Sequence, residues 1–108
     1  MVNTRLYELH ASVCQTLSNP KRLEIIDRLR GGELSVTGLA EVTGIRQVNL
    51  SQHLALMREK GIVIARRERA NVYYRLSNPK ITQACDLMRQ VLLERLEAAG
   101  ELAEISRQ

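Results

Sequence analysis

The chain has 108 residues, the size of one small domain, and with no Phe, no Trp and three Tyr its core must come from Leu, Ile, Val, Met and Ala, which suits packed helices. Sixteen basic residues against twelve acidic ones leave a net charge of +4. No apolar run is long enough to span a bilayer, the opening MVNTRLYELH lacks the hydrophobic core of a signal peptide, and two distant cysteines do not make the disulfide framework of a secreted domain. The expected setting is the cytoplasm, with reduced thiols and no membrane partner.

Residues 4 to 17 are predicted helical, with Leu6, Leu9, Val13 and Leu17 on one stripe. Asn19 and Pro20 supply an N-cap and a first-turn proline for a second helix running to about Arg30. Its expected buried face is Leu23, Ile26 and Leu29, and Gly31 and Gly32 stop it. A short helix over 36 to 42 and the turn Thr43, Gly44, Ile45 lead into a longer helix over 46 to 60, RQVNLSQHLALMREK. Ala40, Gly44 and Leu50 then fall where a helix-turn-helix needs a small packing residue, a turn glycine and an apolar anchor. The longer helix is expected to bury Leu50, Leu54 and Met57, with Val48 near the edge of that face. Its other side offers Arg46, Gln47, Asn49, Ser51, Gln52 and His53, side chains of the types that hydrogen-bond to base edges and phosphates.

Next comes GIVIARRERANVYYRL, two stretches of β-branched and aromatic residues around an arginine-rich middle. Ile62 and Ile64 alternate with Val63 and Ala65, and Val72, Tyr74 and Leu76 with Tyr73 and Arg75, which predicts a hairpin over 62 to 76. Its tip runs from Glu68 to Asn71, and Asn71 is the residue expected to take a left-handed conformation. Asn78 and Pro79 open a last helix over 79 to 99, where Ile81, Ala84, Cys85, Met88, Val91, Leu92 and Leu96 recur at helical spacing, fraying after Gly100. The predicted fold is mainly α with one small β-hairpin: a single winged helix-turn-helix domain over residues 1 to 108.

Charge follows the same map. Between Arg46 and Arg75 lie seven basic residues and two acidic ones, a net +5 that exceeds the +4 of the whole chain. Positive charge confined to the long helix and the wing, where Arg66, Arg67 and Arg69 cluster, is the footprint of a surface for duplex DNA. A domain this small has difficulty covering the apolar stripes of its first and last helices. Pairing them across a two-fold axis is expected to give a homodimer that presents two such helices to half-sites about 34 Å, or a multiple of that, apart.

These segments resemble the ArsR/SmtB family of winged-helix transcriptional repressors. The resemblance lies in LSNPKRLEIIDRL, GELSVTGLAEVTGI, LSQHLALMREKGIV and VYYRLSNPKI, which together cover most of the chain. It implies a dimer that occupies an operator, usually its own promoter, and releases it when an effector binds or oxidises the protein. Three departures bear on mechanism. Ser35, in Glu33, Leu34, Ser35, Val36, stands where members with a metal site in the third helix carry a cysteine, and a hydroxyl is a poor ligand for soft metals. No histidine follows His53, so the donors of the zinc site in the last helix are missing. The wing tip has Arg69 and Ala70 in place of the usual glycine.

Cys14 lies in the first helix and Cys85 in the last, the two elements expected to meet at the dimer interface. Three readings stay open. Both can be small core hydrophobes. With Cα atoms within roughly 7 Å they can form a disulfide or persulfide switch. With His10, one turn before Cys14, they can hold a metal or metalloid; Asp86 is a weaker candidate, about 100° around the helix from Cys85. The cofactor is accordingly none or a bound metal ion, and the small inducer is unidentified. An enzyme is not expected, because His10 and His53 fall on different elements and neither a nucleophile elbow nor a phosphate-binding glycine loop is present. The reading is a sequence-specific, autoregulatory repressor released through Cys14 and Cys85. The alternative is a winged-helix protein-interaction module with structural cysteines.

Overall fold

A computed structural model describes residues 3–100 and 105. Helices α1 (Thr4–Leu17) and α2 (Pro20–Arg28) are followed by a 3-10 turn (Leu29–Gly31), strand β1 (Leu34–Ser35), helices α3 (Val36–Thr43) and α4 (Gln47–Glu59), strands β2 (Val63–Glu68) and β3 (Asn71–Leu76), and helix α5 (Lys80–Ala98). The expected fraying after Gly100 falls largely on residues outside those described. Among the described residues, no helix is long and apolar enough to cross a membrane.

Helices α1, α2 and α3 begin where short polar side chains replace missing backbone partners. Asn3 accepts a hydrogen bond from the Leu6 N–H, Asn19 from Lys21 and Arg22, and Ser35 from Gly38. Ser35 therefore works as a helix cap, its hydroxyl 3.0 Å from the Gly38 nitrogen. Asn78 accepts from the Lys80 N–H in the same way, so α5 starts one residue later than the Asn-Pro signal predicts. Gly44 closes α3 in the left-handed conformation, φ 73°, as the helix-turn-helix spacing requires.

The core is Ile25, Ile26, Leu29, Leu39, Ile45, Leu50, Leu54, Met57, Ile62 and Val63, none more than 4% exposed. Two of its members correct the sequence reading. On α2 the buried face is centred on Ile25, Ile26 and Leu29, which leaves Leu23 36% exposed, about 110° off that direction. Arg22 takes the stripe position one turn before Ile26 and is half-buried. Ile62 is buried as part of the stop of α4, not as a strand residue. Gly61 (φ 74°) donates to the Arg58 carbonyl and Ile62 to the Met57 carbonyl, the paired bonds of a Schellman motif, whose following apolar residue packs back on the helix. The inward positions of β2 are therefore Val63 and Ala65, while Ile64 points out.

The wing belongs to a three-stranded antiparallel sheet in the order β1-β3-β2. Strand β1 pairs Leu34 with Tyr74 and Ser35 with Tyr73; two residues are too short to show a period, so the sequence did not announce it. Glu68 pairs with Asn71, leaving Arg69 and Ala70 as a two-residue connection. The left-handed residue is Arg69 (φ 57°), not Asn71, because Asn71 is already the first paired residue of β3.

Helices α1 and α5 each pack on α2. Ile81 and Cys85 face the core, but Leu6, Tyr7 and Leu9 of α1 and Met88, Val91 and Leu92 of α5 are exposed, Met88 to 70%. The corrected face of α2 has a measurable consequence. Ile25→Ala should destabilise the fold by about 2 to 5 kcal/mol, and Leu23→Ala by less than half of that, as read by urea denaturation; equal losses would restore Leu23 to the core.

Candidate nucleic-acid interface

The two sides of α4 meet opposite environments. Leu50, Leu54 and Met57 are fully buried, whereas Arg46, Gln47, Asn49, Ser51 and Gln52 are exposed. Val48, which the spacing predicts at the edge of the buried face, is 67% exposed. At about 100° per residue it lies roughly 150° from the mean direction of the three buried side chains, so helical angle alone accounts for the correction. The helix also starts without a side-chain cap: Arg46 is extended and its side chain bonds to none of the first N–H groups. Those donors and the positive end of the helix dipole stay open to an anionic oxygen such as a phosphate.

His53 is placed differently from its outward neighbours. It is half-buried, and its Nδ1 accepts a hydrogen bond from Arg22 Nε at 3.2 Å. Arg22 Nη1 also donates to the Thr16 carbonyl at 3.0 Å, and the buried Thr16 hydroxyl donates to the Ser12 carbonyl. One guanidinium thus ties the end of α1 and the start of α2 to the middle of α4. Nδ1 is engaged within the protein and not offered to a duplex. Burial pushes the His53 ring below its ordinary pKa of 6.5, and the Arg22 and Lys21 cations push it further the same way.

The wing arginines divide into a brace and two open cations. Arg66 makes paired contacts to Glu33, the shortest 2.6 Å, and one to Glu68 at 2.7 Å. Its guanidinium lies 4.8 Å from the ring centroid of Tyr73, its direct cross-strand partner. Hydrogen bonding to Arg66 holds the Glu33 carboxyl below the usual carboxylate range, against a smaller opposing effect of desolvation. Glu33 carries no local signal as a partner, because β1, which brings it alongside the wing, is only two residues long. Arg67 and Arg69 are exposed and, among the described residues, enter no ion pair.

Cys14 is exposed on α1, Cys85 is half-buried on α5 against the core, and both are free thiols. Burial pushes the Cys85 thiol up; Arg89 opposes the rise, Asp86 adds to it and Arg30 opposes it. Less of it is thiolate at neutral pH than for an exposed cysteine. Asp86 is held by Arg30 through contacts of 2.7 and 2.8 Å, and Arg30 also bonds Asp27, so this carboxylate joins α5 to the end of α2. Among the described residues no group of three His, Cys, Asp or Glu side chains is gathered as a metal site within the protomer, so His10, Cys14 and Cys85 do not form one there.

A helix-turn-helix with an outward polar helix and a cationic hairpin beside it defines a winged helix-turn-helix of the DNA-binding class. The profile described as bacterial regulatory protein, arsR family, matches residues 19–65. The chain is 44% identical over 73 residues to the Biofilm growth-associated repressor of Xylella fastidiosa, an alignment covering 68% of this chain and 64% of that protein. The crystal structure of Rv0081 from Mycobacterium tuberculosis superimposes with a TM-score of 0.80 at 33% identity, covering 90% of this chain and 98% of that one. The solution structure of the homodimeric winged helix-turn-helix DNA-binding domain of Mb0332 from Mycobacterium bovis, described as a possible ArsR-family transcriptional regulator, gives 0.78 at 34% identity, covering 87% of each chain. This chain belongs to the arsR family of bacterial regulatory proteins. It spans a little under two thirds of the length of the Xylella repressor. A family of regulators agrees with the expectation that the protein is not an enzyme.

The depressed His53 value has a definite sign in stability. As pH falls below 6.5 the unfolded chain takes up the proton before the folded one, so stability is lost over the interval down to the folded value and then levels. His53→Asn keeps an oxygen acceptor for Arg22 and does not titrate. The melting temperature of the variant should therefore fall less than that of the wild type on acidification just below pH 6.5; parallel curves would show that His53 is not the group responsible.

Proposed function

We propose that the protein acts as a homodimeric transcriptional repressor in the cytoplasm, seating α4 of each protomer in the major groove of an operator while the wing grips the flanking phosphates. The observation that carries this reading is α4 itself, whose inner side is fixed by Leu50, Leu54 and Met57 and whose outer side is polar, exposed and uncapped at its start. Gln47, Asn49, Ser51 and Gln52 are the base readers, with Arg46 at the helix entrance. Arg67 and Arg69 are the phosphate anchors, and Arg66 sets the angle of the wing through Glu33 and Glu68. His53 positions the helix through Arg22. The exposed apolar rows of α1 and α5 are the surfaces that pair, in keeping with the homodimeric neighbour. The family resemblance adds that the protein's own promoter is among its operators.

Release is assigned to the cysteines. Cys14 is the accessible sulfur and Cys85 the sheltered one, so the order we propose begins at Cys14. A peroxide takes two electrons from its thiolate to give a sulfenic acid, or a persulfide donor transfers its outer sulfur to it and leaves as a thiolate. The Cys85 thiolate then attacks the Cys14 sulfur, displacing water in the first case and sulfide in the second. A bond between them ties α1 to α5 and alters the spacing of the two α4 helices. A thiophilic metal shared by Cys14, Cys85 and His10, with donors drawn from both protomers, is the other form of the same switch.

Binding to promoter fragments should weaken steeply with salt, by roughly one counterion for each phosphate engaged. Replacing Arg67 or Arg69 with Gln should lower affinity for every duplex and flatten that slope. Replacing Gln47, Asn49 or Gln52 with Ala should relax sequence choice by about 1 to 3 kcal/mol for each base edge no longer read. A slope unchanged in the arginine variants would remove the wing from the interface, and binding indifferent to salt would favour a protein-interaction module.

The switch has its own check. The Cys14→Ser, Cys85→Ser double variant should bind the operator as the wild type does but stay bound when treated with oxidant, persulfide or thiophilic metal. Release equal to that of the wild type would leave both cysteines with packing roles alone.

A further inference from the structure

Val48 stands at the outward pole of α4, opposite the buried side chains and one helical turn before Gln52, which shares that pole. The residues around it in the first half of the helix, Gln47, Asn49, Ser51 and Gln52, all carry hydrogen-bonding groups and are all exposed. A β-branched residue is a poor choice for a solvated helix surface, since it has restricted rotamers and gains no packing in return. The exposed apolar side chains of α1 and α5 lie in rows, the surfaces proposed above to pair, whereas Val48 is the one exposed large apolar side chain of α4 among the described residues. Its chemistry matches one feature of the surface that those readers address. The one apolar group that projects from the base edges into the major groove is the 5-methyl of thymine.

We infer that Val48 is a specificity-determining residue that packs on the 5-methyl group of a thymine in each operator half-site, with Gln52 on an adjoining base edge. This rests on the operator-binding reading. Withdrawing one methyl group from apolar contact is worth about a fourfold change in affinity, and about fifteenfold when both half-sites of a dimer are stripped of it.

The probe is the tightest duplex that the wild-type protein recovers from a randomised pool. Each thymine in turn is replaced by deoxyuridine, which keeps the pairing edge and O4 and removes only the methyl group. Wild-type protein should lose about fourfold in affinity at one position per half-site. Val48→Ala, in which a shorter side chain and better helix former occupies an exposed site, should bind the thymine duplex more weakly than the wild type, lose the difference between thymine and deoxyuridine at that position, and respond to deoxyuridine at every other position as the wild type does. A selected duplex that binds with a steep salt slope but shows no loss at any deoxyuridine would overturn the role of Val48 and leave operator binding standing. A loss of the same size in Val48→Ala would assign the methyl group to another side chain. Failure to recover any duplex would overturn both readings.

Discussion

Packing along the inner side of α4 is the constraint on which the rest depends. Leu50, Leu54 and Met57 are fully buried among Ile25, Ile26, Leu29, Leu39 and Ile45, and burying a side chain of this kind contributes about 1.5 to 3 kcal/mol. Turning the helix by half a revolution would expose all three. It would also bury Asn49 and Gln52, whose amides would have to find new partners or remain unsatisfied. The polar face is therefore held outward by the core behind it, not by interactions of its own.

Three polar links then adjust elements that the core leaves with some freedom. Arg22 joins α1, α2 and α4 through Thr16 and His53. Arg66 joins the wing to the segment before β1, and Arg30 joins the end of α2 to α5. The latter two lie at the surface, where ion pairs add little to stability. Their contribution is geometric: each connects segments at least 33 residues apart, and each has several donors on one guanidinium, which restricts angle as well as distance. Asp86 is bound in this way next to Cys85. A change at that sulfur therefore lies beside a direct connection between α5 and the end of α2.

Much of this was legible in the residues. The Asn19 cap, Gly44, the apolar period of α4 and the arginine-rich hairpin each carry a local signal, and the structure places them where those signals point. What escaped depends on contacts far apart in sequence or on angles finer than a binary pattern. Strand β1 is two residues long and is defined by its partner β3. The partnership of Arg66 with Glu33 exists because of that strand. His53 differs from its outward neighbours only through Arg22, 31 residues away on the buried stripe of α2. Val48 lies about 150° around α4 from the mean direction of Leu50, Leu54 and Met57, an angle that a binary apolar pattern does not carry.

The left-handed backbone at Arg69 sets two demands on the wing against each other. A side chain at that conformation carries about 1 kcal/mol or more of steric cost that glycine would not, and no packing at the exposed turn compensates for it. What the position gains is a guanidinium at the furthest reach of the hairpin. A chain that relaxed this corner with glycine would have a firmer turn and a weaker hold on anions. Mechanical ease and electrostatic reach at the tip therefore cannot both be maximised by one residue, and this sequence has settled on reach.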